Sequence, residues 1–200
     1  NLRNCAYVDE FDKEKIVWKR IGSILRFCHS NLGELVLDST CFLIGEKTKY
    51  LTALLNSKVL NWELFKISPK TGTGDLIISV QALEPLMIHY PAKNEEKPFE
   101  MMVDFILFAK ESGHEKEANF FEQVIDNMVY DLYFEESMKN NSCYITESVK
   151  NILTPDFEQP NKEKMEKIYF KLKDDKVVQR GLIYSRVVKE VEIINRGKND

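Results

Sequence analysis

A regular apolar stripe in the second half of the sequence places the strongest constraint on the fold. Its members recur at i, i+1, i+4, i+5, i+8, i+9, i+12 and i+13, which is the period of an amphipathic helix. They are Phe120, Phe121, Val124, Ile125, Met128, Val129, Leu132 and Tyr133. The apolar face of such a helix needs a partner. Residues 99–111 are nearly apolar throughout, so they predict a second helix that is covered on more than one side.

The remaining segments predict an α+β fold. Two further helices are predicted at residues 161–173 and 176–195, after the helix-breaking sequence TPDFEQP. The first half contains short runs that alternate apolar with polar residues, as half-buried strands do. These runs are residues 15–22 and 23–29, predicted to form a hairpin around Gly22-Ser23, and residues 34–38, 39–45, 75–79 and 85–91. We therefore expect a small mixed β-sheet domain with a few packed helices, followed by a C-terminal helical region.

A polar segment bounded by prolines, residues 91–98, is the predicted linker between these two parts. It divides the chain into an α/β domain at residues 1–92 and a helical region at residues 93–200.

Residues 49–75 join an amphipathic helix to a basic loop. Apolar residues from Leu51 to Phe65 recur at helical spacing, with a predicted break near Asn56-Ser57, where we expect capping or a turn between two helices. The loop sequence is KISPKTGTGD. Its glycines, Gly72 and Gly74, would let the backbone approach a phosphate group closely.

Composition argues against a membrane protein and against a disulfide framework. No apolar run reaches the about 18 residues that a bilayer span requires, and we expect a cytoplasmic location without membrane association. The four cysteines, Cys5, Cys28, Cys41 and Cys143, contain no C-x-x-C pair and are predicted to be reduced thiols. Cys28-His29 lacks the further ligands of a zinc site, so the expected arrangement is a buried cysteine beside a histidine at a strand end.

Charge is distributed unevenly along the chain. The formal net charge is −4, but residues 13–73 contain 10 basic and 5 acidic side chains. Electrostatic attraction to phosphate acts within a Debye length of about 8 to 10 Å, so a local basic face can bind nucleic acid on an acidic protein. A solvated surface of mixed charge is the alternative.

Most catalytic motifs are missing from the sequence. There is no glycine-rich turn for S-adenosylmethionine, no Asn-Pro-Pro-Tyr loop for an extruded base, and no phosphate-binding loop. Pro155-Asp156 followed by Asp174-Asp175-Lys176 does fit the loose pattern of Mg²⁺-dependent nucleases. Such nucleases mount these residues on paired strands. We therefore expect a helix cap at Asp156 and a solvated turn at residues 174–176.

Two motif blocks, one in each half of the chain, carry a resemblance to a known family. In the first, STCFLIGEK at residues 39–47 leads into the helix pattern Tyr-Leu-x-x-x-Leu-Asn-Ser-Lys, and the apolar LEPLMIHYP follows downstream. The first block is matched by Tyr50, Leu51, Leu55, Asn56, Ser57 and Lys58. The second block, Ile-Asp-x-x-Val-Tyr-x-Leu-Tyr, is matched by Ile125, Asp126, Val129, Tyr130, Leu132 and Tyr133. The arrangement resembles the TaqI-like C-terminal specificity domain, the target recognition domain of type IIG restriction-modification enzymes and related adenine-N6 DNA methyltransferases.

This resemblance implies a noncatalytic part of a larger enzyme, with the methyltransferase domain upstream in the same polypeptide. The activity of the whole enzyme would be site-specific adenine-N6 methylation, with or without DNA cleavage. Its cofactor would be S-adenosylmethionine, with Mg²⁺ where a nuclease is present, and no cofactor is expected in this chain. The expected partner is double-stranded DNA.

Basic and hydroxyl side chains in the first half are the candidate DNA contacts, because phosphate contacts set register and groove contacts distinguish base edges. The candidates are Lys19, Arg20, Arg26, Lys66, Ser68, Lys70, Thr71 and Thr73. A competing hypothesis treats the helical half as an interaction module that docks onto the rest of the enzyme or onto another subunit. A nuclease built on the Asp156 pattern is a third.

Overall fold

The computed structural model describes residues 8–37 and 39–197 and has an α+β fold. The strands are β1 (Lys15–Lys19), β2 (Ile21–Gly22), β3 (Phe27–Ser30), β4 (Thr40–Ile44) and β5 (Leu76–Ile77). The helices are α1 (Thr48–Asn56), α2 (Lys58–Ile67), α3 (Val80–Leu83), α4 (Lys97–Glu111), α5 (Glu115–Tyr133), α6 (Glu135–Asn140), α7 (Thr146–Ile152), α8 (Lys162–Asp174), α9 (Lys176–Tyr184) and α10 (Lys189–Arg196). Short 3-10 helices occupy Val8–Asp12, Pro155–Phe157 and Ser185–Val187.

The main sheet has three antiparallel strands in the order β3-β1-β4. Trp18 stands opposite Phe27 in β3 and opposite Cys41 in β4, so the predicted pairing of residues 15–22 with 23–29 is confirmed. The connection is not a tight Gly22-Ser23 turn, however. β2 leaves the main sheet there and pairs with β5 in a second, two-stranded sheet.

Two predicted strands do not form. Residues 34–37 are irregular, with Leu35 81% and Leu37 77% exposed, because no neighbouring strand pairs with them in the described part of the chain. Residues 85–91 are also irregular, and their backbone is bonded by tyrosine side chains instead. The hydroxyl of Tyr133 donates to Met87 O at 2.8 Å and accepts from His89 N at 3.1 Å, while Tyr50 donates to His89 O at 3.1 Å.

The predicted break in the first helical segment is confirmed at Ser57, which ends α1 and caps α2 by accepting a hydrogen bond from Leu60 N. Asn56 does not cap a helix. Its side chain accepts from Phe27 N at 3.0 Å and donates to Phe27 O at 2.7 Å, so it occupies the place of a neighbouring strand at the edge of β3.

Helix α4 lies between α1 and α5, as its apolar sequence predicts. The ring of Tyr50 meets that of Phe99 edge-on with centroids 5.3 Å apart, and Lys49 Nζ lies 2.7 Å from Asp104 Oδ1. Buried residues from the sheet, the helical pair and the later helices form one continuous apolar core. The division at residues 92 and 93 falls in the loop before α4 and stays a prediction.

The predicted helix at residues 161–173 is confirmed as α8, whereas the one predicted at residues 176–195 is divided into α9 and α10 by Ser185–Val187. Helices α6 and α7 lie within the predicted helical region, which gave no bounds for them. No described helix combines the length and the apolar character that a membrane span requires.

Candidate nucleic-acid interface

The second sheet brings distant parts of the first half together. Strand β5 pairs with β2 on one side, where Ile78 N also donates to Arg20 O at 2.8 Å. On its other side a bridge joins Lys70 to Leu76, and Ile77 N donates to Pro69 O at 2.8 Å. The two flanking segments are therefore separated by two strand spacings, or roughly 10 Å.

Four of the predicted DNA-contacting residues are exposed cations on or beside this sheet, and we call them the interface cations. Lys19 and Arg20 lead into β2, Lys70 bridges to Leu76 of β5, and Lys66 lies near the end of α2. The interface cations are Lys19, Arg20, Lys70 and Lys66. Among the described residues, no carboxylate forms an ion pair with any of them. By contrast, Lys47, Lys49 and Lys58 of the same half are each paired.

Two interface cations rest on aromatic rings. Lys66 Nζ lies 3.4 Å from the centroid of the Trp62 ring, and Lys70 Nζ lies 4.3 Å from that of Phe65. Cation–π contacts of this kind restrict a flexible lysine without neutralising its charge. Trp62 and Phe65 were not predicted. The Trp62–Lys66 pair could have been found from its four-residue spacing on a helix, whereas the Phe65–Lys70 contact depends on the bend after α2.

The predicted hydroxyl candidates stabilise the loop that joins Lys70 to β5. Thr71 Oγ1 accepts from Asp75 N at 3.0 Å and lies 2.9 Å from Thr73 Oγ1, which in turn donates to Asp75 Oδ2 at 3.3 Å. Gly74 has φ of 90°, a conformation that disfavours side chains, so its role in the turn is conformational. Thr73 is exposed and Thr71 is half-buried.

The structure separates two of the candidates from this group. Ser68 is only 6% exposed and its hydroxyl is buried, so its role as a DNA contact stays a prediction that the burial does not favour. Arg26 is exposed and directly precedes β3. It lines a different groove, of about 690 Å³, together with Lys58 and Lys110.

Cys28 was predicted to be buried beside His29, but in the structure it is His29 that is buried. Cys28 is exposed, while His29 is 6% exposed and its Nε2 lies 3.2 Å from Thr48 Oγ1. Burial lowers the pKa of His29, and nearby Glu14 partly opposes this effect. Cys28, Cys41 and Cys143 are free thiols, whereas Cys5 lies outside the described residues. In the described ranges, no group of three or more His, Cys, Asp or Glu residues is arranged to hold a metal ion.

The nuclease-like pattern contains a helix cap at a different place from the predicted one. Asp175 Oδ1 accepts from Val177 N and Val178 N, each at 2.9 Å, and so caps α9. Asp156 is exposed within Pro155–Phe157 and makes no side-chain cap there. The predicted cap at Asp156 is therefore corrected to Asp175.

The two motif blocks quoted above meet in space. Asp126 Oδ1 accepts from Lys58 N at 2.8 Å, and Asp126 Oδ2 lies 3.2 Å from Lys58 Nζ. Asn56 of the first block fastens β3 and Ser57 caps α2, as described above, and most apolar members of both blocks are buried. These contacts join α1 to the main sheet and α5 to α2, so they position α2, the helix that carries Lys66.

Comparison of the chain with protein-family models, with curated proteins and with solved structures returned no match.

Proposed function

We propose that this chain is the target recognition module of a site-specific adenine-N6 DNA methyltransferase or restriction-modification enzyme, and that it binds double-stranded DNA. One observation carries the proposal: the interface cations lie on or beside one small sheet without a carboxylate partner among the described residues. The role of the module is to position DNA for methylation by a domain elsewhere in the enzyme, so it needs no cofactor of its own.

Exposed cations that have no carboxylate partner and are held by the fold are suited to binding phosphate groups. Each cation that replaces a condensed counterion on duplex DNA contributes favourably to binding through counterion release. Contacts to phosphate set the register of a protein on DNA, and additional contacts to base edges supply sequence selection. Lys66 and Lys70 are held over aromatic rings, so less side-chain freedom is lost when they bind.

Fluorescence anisotropy with labelled duplex DNA at increasing salt tests the proposal. We expect affinity to fall as salt rises, and the double variant Lys66→Glu/Lys70→Glu to lower the slope of log affinity against log salt by about 2. The matched control is Lys167→Glu/Lys171→Glu, because these α8 lysines also lie over an aromatic ring, that of Phe157. The control should bind as the unaltered protein does.

The competing hypothesis of an interaction module is supported by an exposed apolar stripe in the C-terminal helical region. Val177, Tyr184 and Val187 are 48%, 55% and 73% exposed and follow one another at helical spacing along α9 and the turn after it. If duplex binding is absent at low salt, or is equal in the Lys66→Glu/Lys70→Glu variant and the unaltered protein, docking through this stripe becomes the better account.

A further inference from the structure

The apolar stripe on α9 belongs to a wider exposed face that continues into the Ser185–Val187 turn. The members of this face recur three or four residues apart, so they lie along one side of the helix. Four are apolar and 48% to 73% exposed, two are basic, and none is acidic. We call them the α9 face: Lys176, Val177, Arg180, Ile183, Tyr184 and Val187. Soluble proteins rarely leave a continuous apolar surface exposed unless it binds a partner.

Two open hollows lie beside the α9 face, with volumes of about 400 and 310 Å³. Tyr144 and Val177 line the first hollow, and Tyr184 and Val187 line the second. Arg180 lines both, so the hollows are adjacent, and neither lining contains a carboxylate. The hollows therefore suit apolar side chains that have negative charge beside them.

A second apolar surface lies in the first part of the chain, on the connection between β3 and β4. Its leucines, Leu32, Leu35 and Leu37, are 65%, 81% and 77% exposed. In the described part of the chain no strand pairs with this connection, so the leucines are available to another molecule.

The charge around these leucines is negative. Gly33 N donates to Phe11 O at 3.1 Å, which joins the connection to the 3-10 helix Val8–Asp12. Residues 8–14 and 31–37, which we call the leucine surface, together contain five carboxylates and one lysine. Four of the carboxylates are exposed: Asp9, Asp12, Glu14 and Glu34. The leucine surface is therefore opposite in charge to the α9 face.

The two surfaces are complementary but do not cover each other within one molecule, since the apolar members of both are exposed. Contact between them in two molecules would remove apolar side chains of both surfaces from water. It would also bring carboxylates of one molecule near Lys176 and Arg180 of the other, and complementary charge of this kind specifies which surfaces meet. A symmetric contact between two leucine surfaces, or between two α9 faces, would instead bring like charges together.

We infer that this chain associates head to tail with a second copy of itself, with Leu35 and Leu37 of one copy against the α9 face of the other. Such an interface joins two different surfaces, so each pair keeps one free surface of each kind and can add further copies. The interface cations belong to neither surface, and the inference does not depend on DNA binding.

Sedimentation equilibrium of the whole chain, without DNA and from micromolar to submillimolar concentration, tests the inference. We expect the average mass to rise with concentration above that of a monomer. Leu35→Ser/Leu37→Ser removes two apolar contacts, and Val187→Glu adds a charge that the acidic leucine surface repels, so each should weaken association about tenfold or more. The control is Met87→Glu, at an apolar position that is 75% exposed and outside both surfaces, and it should associate as the unaltered protein does.

A mixture of the two variants distinguishes head-to-tail association from a symmetric dimer. Leu35→Ser/Leu37→Ser keeps its α9 face, and Val187→Glu keeps its leucine surface. An equal mixture should therefore form one-to-one dimers that do not grow further, although each variant alone associates weakly. Three results would overturn the inference: a monomeric mass at every concentration, association that neither variant weakens, or a mixture that associates no more than the separate variants.

Discussion

Asp131, on the buried face of α5, is a carboxyl group almost cut off from solvent. It is 2% exposed, and its Oδ2 accepts three hydrogen bonds, from Ile145 N at 2.8 Å, Thr146 N at 2.9 Å and Thr146 Oγ1 at 2.7 Å. These bonds join α5 to the start of α7 and favour the charged form. Burial opposes them more strongly and raises the pKa of Asp131 to about 7.

Protein stability should therefore depend on pH through Asp131. An unfolded aspartate has a pKa near 3.9, so between about pH 4 and pH 7 the folded state holds a proton that the unfolded state has lost. The free energy of unfolding should consequently fall as pH rises through this window. We expect Asp131→Asn, which cannot ionise, to flatten the dependence of the melting temperature on pH between about pH 5 and pH 7.

The control for this measurement is Glu136→Gln, which removes one carboxylate from an exposed position on α6. It should preserve the pH slope of the unaltered protein. An equal slope in the Asp131→Asn variant and the unaltered protein would show that Asp131 is ionised in the folded state.

Helix α2, which carries Lys66, starts at a junction between two elements that are far apart in sequence. The first N–H groups of a helix have no partner within it, and here Ser57 and Asp126 bind two of them, those of Leu60 and Lys58. Asp126 also adds a negative charge at the positive end of the helix, which is favourable. The sequence of α2 therefore specifies a helix, while α5 fixes its position.

Replacement of Asp126 should reveal this coupling. We expect Asp126→Ala to lower the free energy of unfolding by about 1 to 2 kcal/mol, the effect of losing a helix cap, and Asp126→Asn to lower it less because the amide oxygen still accepts from Lys58 N. Urea denaturation measures both values. Asn119→Ala, at an exposed position of α5, is the control and should change stability little. Equal losses for Asp126→Ala and Asn119→Ala would contradict the role of Asp126 as a cap.

Over the whole molecule, the apolar core passes from the sheet through α1 and α4 into the C-terminal helices. Trp18 lies in the main sheet, and its Nε1 donates to Ile78 O at 2.8 Å, so it also ties the second sheet to the first. A continuous core of this kind favours unfolding as one cooperative unit.

We expect two probes of thermal or urea unfolding to give coincident transitions. The first is the fluorescence of Trp18, in a Trp62→Phe background, which reports on the sheet. The second is the far-ultraviolet circular dichroism, which is dominated by helices of the C-terminal part. Separate midpoints would instead indicate two domains that meet near residues 92 and 93.

Local patterns explain which elements were predicted and which were not. The stripe on α5, the apolar α4 and the cap at Ser57 depend on hydrogen bonds and side-chain spacing within a few residues, and each was predicted. Residues 85–91 have the composition of a strand, but Tyr50 and Tyr133 bind their backbone instead. No local signal distinguishes a paired strand from an irregular segment bonded by tyrosine hydroxyls, because the hydroxyl groups come from distant helices.

The sequence by itself determined the α+β class, the helical pair and the positions of most helices, because periodicity and capping act locally. Only the tertiary structure decided which polar side chains are available at the candidate interface. Lys15, counted in the basic segment, is fully buried and donates to three backbone oxygens, and Ser68 is also buried. Lys19 and Arg20 lead into β2, on one side of β5, and Lys70 bridges to the other side, and all three are exposed. Burial and pairing of this kind depend on contacts between residues far apart in the chain, which the spacing of neighbouring residues does not encode.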